Sequence, residues 1–217
     1  MSHELDELPP EQKLALAHSS GAHQRRLRVF LALDGRIAQF VSQSKETMLT
    51  QMRIAWWRDQ FGKPAAERPN GDPILDAISV DWIGQDDALI ALVDGWEGLL
   101  AEPPLADSAA LEFATGRAQC FAALARMEGH EAANAMHCGV LWALADLASR
   151  VRDKEERDMI MQMAAQQCAG SLNVPYGLRS LRILGSLGAR FMKNGAEGLV
   201  NGRSDILHIF RLGLFGR

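Results

Sequence analysis

The chain has 217 residues, 47% of them apolar, which suits one domain and buries a continuous core without disulfides. Aromatics make up only 6% while Ala, Leu and Met abound, and no run alternates Val, Ile, Thr and Tyr; this excludes a sheet-built fold and favours helices. The net charge of −4 is uneven, +5 over residues 171–217 and −9 over the rest, a polarity that suits docking on an anionic lipid surface or an acidic partner, or simply a solvated face.

In chain order, Pro9-Pro10 opens a short helix over Glu11 to His18, which Ser19, Ser20 and Gly21 break. A longer helix over His23 to Ser42 places Leu27, Phe30, Leu31, Leu33, Ile37, Phe40 and Val41 on one face. A third, Lys45 to Phe61, stops at Gly62 and Pro64, and the stretch to Pro73 reads as a loop. Ile74 to Ser79 is a short helix and Asp86 to Leu100 an amphipathic one ended by Pro103-Pro104. Three more follow, Ser108 to Met127, Glu131 to Arg150, and Asp153 to Cys168, with alanine-rich faces that permit close packing and Asp153 as the N-cap of the last. Tyr176 to Lys193 and Ser204 to Leu214 complete a single all-α bundle.

Cys120, Cys138 and Cys168 are odd in number and widely spaced in apolar contexts, so they read as small hydrophobes rather than a disulfide framework or zinc site. Met1 to Gln12 is acidic and broken by proline, unlike a signal peptide. The longest uncharged run, Met159 to Leu178 as judged by its Gln, Asn and Pro content, makes a poor membrane span. A cytoplasmic protein is expected, peripheral to a membrane at most. Its last residues, Asp205 to Arg217, are apolar with basic punctuation. They read first as a closing core helix, and alternatively as a basic helix on the inner face of a membrane.

The most distinctive segment is Leu31 to Gln60, whose paired tryptophans sit between arginines: Arg53-Ile54-Ala55-Trp56-Trp57-Arg58-Asp59. Adjacent Trp56 and Trp57 point about 100° apart on a helix, so the two address different surroundings. Together with Leu33-Asp34-Gly35-Arg36-Ile37-Ala38 and Met48-Leu49, this segment resembles the squalene/phytoene synthase family. The likeness is to its bacterial branch, related to a mitochondrial complex I assembly factor. Softer likenesses are Asp72-Pro73-Ile74-Leu75, Leu89 to Leu100 with Asp94 and Glu97, and Val174-Pro175 with Leu178-Arg179-Ser180-Leu181. The resemblance implies a terpenoid-synthase-type bundle, shortened relative to typical members by at least one helix.

It further implies two aspartate-rich helical motifs facing each other across a cavity, holding Mg²⁺ on the diphosphates of two prenyl substrates. Carboxylates four residues apart share a helix face and can share a metal ion. Neither motif position of this chain holds such a pair. Gln39 and Ser42 stand where the first motif expects acids, leaving Asp34 alone. In the region of the second motif Arg150 follows Asp146 at i+4, which reads as an ordinary helix salt bridge.

The leading expectation is therefore a degenerate family member, binding a prenyl diphosphate, a lipid-like ligand or a protein partner without catalysing condensation. Its ligand contacts would come from Arg36, Arg53, Trp56, Trp57 and Arg58; no metal ligand set is assigned. Alternatively Asp34, Asp94, Glu97 and Asp146 converge on a cavity and the chain is an active Mg²⁺-dependent prenyltransferase. A third reading is an interaction scaffold with a collapsed cavity. His130 and His137, seven apart, read as structural, and no nucleic-acid-binding, nucleotide-loop or nucleophile-elbow motif is present.

Overall fold

The computed structural model describes residues 8–44, 46–167, 170–194, 198–200 and 202–215. Among them are ten α-helices and no strand: α1 (Pro10–Ala17), α2 (Gly21–Ser42), α3 (Thr47–Phe61), α4 (Pro73–Asp81), α5 (Asp86–Gly98), α6 (Asp107–Met127), α7 (Ala133–Arg150), α8 (Lys154–Gln167), α9 (Arg179–Asn194) and α10 (Arg203–Phe215). Single 3₁₀ turns lie at Ala65–Glu67 and Tyr176–Leu178. The helix boundaries follow local chemistry. Asp72 accepts hydrogen bonds from the backbone N–H groups of Ile74 and Leu75, with Pro73 in the first helical position, and so starts α4. The Asp153 carboxylate accepts from Glu156 N at 3.0 Å and starts α8. Gly21 holds φ +60 at the head of α2, which sets the break from α1.

Helices α5, α6, α7 and α9 pack side by side as the body of the bundle. Close approach depends on missing side chains. A Cβ on Gly116 of α6 would run into the Ala91 carbonyl of α5, and one on Gly185 of α9 would stand 2.7 Å from the Cys138 Cα of α7. Helix α2 touches α3, α4, α5 and α6, bringing Leu27, Phe30, Leu31, Leu33 and Ile37 into the core. There Phe30 meets Phe121 and Trp142, and the last two stack at 5.5 Å.

Helix α7 begins at Ala133, so His130 precedes it and shares no helix face with His137. Helix α10 lies on α9 with Ile209 and Leu212 buried, in keeping with a core helix, yet Ile206, Leu207 and Phe210 of the same helix face outward. Met1 to Glu7, Lys45, Cys168 and Arg217, all used in the sequence analysis, lie outside the described residues. No helix among the described residues is long and apolar enough to cross a membrane.

Candidate functional site

At the centre of the bundle is an arginine. On α6, Phe113, Arg117 and Phe121 recur at four-residue spacing on the buried face, and Arg117 is 1% exposed. Its Nε and Nη2 donate to Asp34 Oδ1 and Oδ2 at 2.8 and 2.7 Å, a bidentate pair with α2. Its Nη1 donates to Asp146 Oδ2 on α7 at 2.7 Å. The remaining Asp146 oxygen accepts from Arg150 Nε at 2.9 Å, and Asp34 Oδ1 also accepts from Trp96 Nε1 at 2.8 Å. Aromatic faces of Trp96, Phe113 and Trp142 lie 4.5–5.0 Å from the guanidinium carbon.

Burial works against charge on Arg117 and on Asp146. For Arg117 the fields of Asp34 and Asp146 and their hydrogen bonds outweigh it, raising the guanidinium above its ordinary value. For Asp146 burial is likewise the largest influence, but Arg117 and Arg150 together hold the carboxyl below the usual range. The four side chains form one alternating chain, Asp34–Arg117–Asp146–Arg150.

A cavity of about 210 Å³ opens beside this chain, and Arg36, Arg117 and Arg150 all reach its wall. Gln12 lines it too, 3% exposed, with its Oε1 buried and unbonded. Gly35 faces open space there: a Cβ built on it meets nothing within 4 Å. Beside Gln12, Glu11 is buried and its carboxyl is pushed up by desolvation, further by Asp146, and only partly restored by a backbone hydrogen bond and by Arg150 and Arg117.

A second, more open groove of about 420 Å³ runs between α2 and α3. Its walls are Phe40, Leu49, Met52, Trp56 and Trp57, with Arg36, Arg53 and Asp72 at the polar positions. Arg36 lines both spaces and reaches Asp72 at 3.5 Å; Arg53 lies over the Phe40 ring at 5.6 Å. The two tryptophans divide as their 100° separation requires. Trp57 is buried in the core at 2% exposure, while Trp56 stands half out of the groove at 39%.

Of the four acids named as metal candidates, the bundle brings Asp34 and Asp146 together and leaves Asp94 and Glu97 apart. The latter pair, on α5, both bind the Arg58 guanidinium of α3, with Nε donating to Asp94 at 2.6 Å. Arg58 thus ties two helices together and lines neither space, because its donors are turned to α5. The Asp146–Arg150 pair forms as the spacing requires, but on a carboxylate 2% exposed rather than on the helix surface.

Asp34 and Asp146 do not fit a magnesium site. Each of their four oxygens already accepts from a guanidinium. Among the described residues no group of three or more His, Cys, Asp or Glu side chains is placed to hold a metal ion. The thiols of Cys120 and Cys138 are buried; desolvation pushes the second up to about 12 and the first well above its ordinary value, so neither is a nucleophile near neutral pH. The residue the sequence reading missed is Arg117. Its signal was there, a lone cation on the same helical row as Phe113 and Phe121. Comparison of the chain with protein-family models, with curated proteins and with solved structures finds no match.

Proposed function

We propose that this chain is a shortened squalene/phytoene-synthase-like bundle that binds an amphiphilic anion of the isoprenoid or lipid class without catalysing its condensation. One observation carries the reading: Arg117 fills the space between the two facing carboxylates, Asp34 and Asp146, and engages both. A divalent ion needs open oxygen ligands there, and a guanidinium has taken them. The apolar chain of the ligand lies in the groove against Phe40, Leu49, Met52 and Trp56, and its anionic end meets Arg36, which groove and cavity share. The groove falls within the roughly 300–1,000 Å³ common for small-molecule sites. Such a protein serves as a carrier or as an assembly protein sensitive to its lipid.

The test uses farnesyl diphosphate as the probe, in calorimetric titration with EDTA present, alongside an assay for diphosphate release with Mg²⁺ added. Binding without the metal, and no release with it, is the expected pair of results. Arg36→Gln removes a charged donor worth about 1.5–3 kcal/mol and weakens binding by roughly tenfold or more. Mg²⁺-dependent release of diphosphate overturns the non-catalytic reading and favours the transferase, for which the facing of Asp34 and Asp146 is the supporting geometry. Absence of binding overturns the ligand class and leaves the scaffold.

A further inference from the structure

Helix α10 has two apolar faces where a simple closing helix needs one. Asp205, Ile209 and Leu212 recur at four- and three-residue spacing and are buried against the bundle. On the other side Ile206, Leu207 and Phe210 lie within about 100° of one another, 40–69% exposed, with Arg211 exposed next to them. Tyr176 extends the patch. Its hydroxyl donates to the Gly213 carbonyl at 3.4 Å, one turn beyond Phe210, its ring stays 56% exposed, and Arg179 covers that ring at 4.1 Å. Asp205, the one acid of α10, is turned inward and paired with Arg190 at 2.8 Å, so among the described residues this helix presents no acid on its outward face.

We propose that this outward face of α10, with Tyr176 and Arg179, docks the protein on an anionic lipid bilayer. The combination matches an interfacial helix: large apolar side chains on one arc, arginines flanking them, and a tyrosine whose ring is apolar while its hydroxyl is bonded. The surrounding sequence has the complementary charge, with seven basic side chains against two acidic ones over residues 171–217 while the rest of the chain is strongly acidic. An anionic surface therefore attracts this end and repels the remainder, which sets the orientation as well as the affinity. A protein partner needs register, usually supplied by charges of both signs; this face offers one sign only. The inward anchors Ile209 and Leu212 keep the helix on the bundle, so contact is peripheral.

The test is co-sedimentation of the whole protein with vesicles of phosphatidylcholine alone and of phosphatidylcholine mixed with phosphatidylglycerol, at low and high salt. Binding is expected to the mixed vesicles only, and to be released by salt. The double variant Leu207→Ser with Phe210→Ser loses at least about tenfold in partitioning. Leu207 is 69% exposed and Phe210 touches the bundle by its edge contact with the His18 ring, so the helix content stays near that of the parent and the thermal midpoint falls only slightly. Arg179→Glu with Arg211→Glu loses binding by the independent, electrostatic route. Failure to bind anionic vesicles, or undiminished binding by either variant, overturns the proposal. So does a concentration-dependent dimer that the serine variant dissolves, since the face then belongs to a second copy of the chain.

Discussion

Replacing Arg117 by methionine tests whether the centre of the bundle is organised as described. Methionine keeps much of the side-chain length and removes the charge, leaving Asp34 and Asp146 in a site where each is about 1% exposed. Breaking a buried ion pair from one side costs about 3–5 kcal/mol, most of it the burden of the uncompensated charge. Here two carboxylates are stranded, although Arg150 still serves Asp146 and the Trp96 indole still serves Asp34. A loss in that range lowers the melting temperature of a chain this size by about 6–20 °C.

The pH dependence carries the sharper information. In the parent, Asp146 titrates below its ordinary value of 3.8, so its contribution is present above that pH and fades as the pH falls through the lower, folded value. In the variant burial still opposes the ionised form of the two carboxyls while the shared guanidinium no longer offsets it, so the penalty is absent where they are protonated in acid and grows as they ionise with rising pH. Urea unfolding followed by tryptophan fluorescence between about pH 4 and 7 therefore shows the gap between parent and variant widening toward neutrality. Adding Asp34→Leu and Asp146→Leu to Arg117→Met removes the stranded charges and recovers most of the loss. A gap under about 1 kcal/mol, or one that is flat with pH, refutes the buried network.

Three further substitutions probe its surroundings. Glu11→Gln removes a buried carboxyl whose ionised form is disfavoured by desolvation; because the folded value is raised above 4.5, the parent loses stability as pH rises through it, so the variant melts higher than the parent at pH 7 and loses that advantage in acid. Alanine at two helical glycines gives opposite signs in thermal melts: Gly35→Ala, whose Cβ enters open space, stabilises by about 0.5–1 kcal/mol, whereas Gly116→Ala, whose Cβ meets the Ala91 carbonyl, destabilises by about 1–3 kcal/mol.

Most of the helical layout was legible because its signals are local. Gly62 and Pro64, Asp72-Pro73 and Asp153 act within one turn of their own position, and helices begin or end beside each of them. The divergence of Trp56 and Trp57 is equally local, since it follows from helix pitch alone. What was not legible is which distant residue each acid meets. Asp146 and Arg150 are four apart in sequence, and nothing nearby says that the carboxylate is buried; it is buried because Arg117, 29 positions earlier, supplies a second guanidinium. Asp94 and Glu97 look no different from Asp34 in composition, yet Arg58 claims them on another part of the bundle. In α10 the run Ile206-Leu207-His208-Ile209-Phe210 is too uniformly apolar to reveal two faces; only packing on α9 separates them.

On the proposed reading, an arginine stands between the two carboxylates where a diphosphate-cleaving centre would need a metal ion, and the two differ in what they can do. A magnesium ion brings two charges and coordination positions that phosphate oxygens can occupy, so it neutralises a leaving group as that group forms. Arg117 brings one charge, and three of its five N–H donors are committed to Asp34 and Asp146. Counting Arg150, the alternating chain is neutral, two cations against two anions, with no surplus positive charge to offer. Drawing Arg117 toward a phosphate strands two buried carboxylates, at a cost comparable to that of deleting it. Arg36 differs in place: it lines both the cavity and the groove and stands outside the Asp34–Arg117–Asp146–Arg150 chain. An anion can be held at Arg36 without disturbing the core, and held there it has no partner to drive its departure.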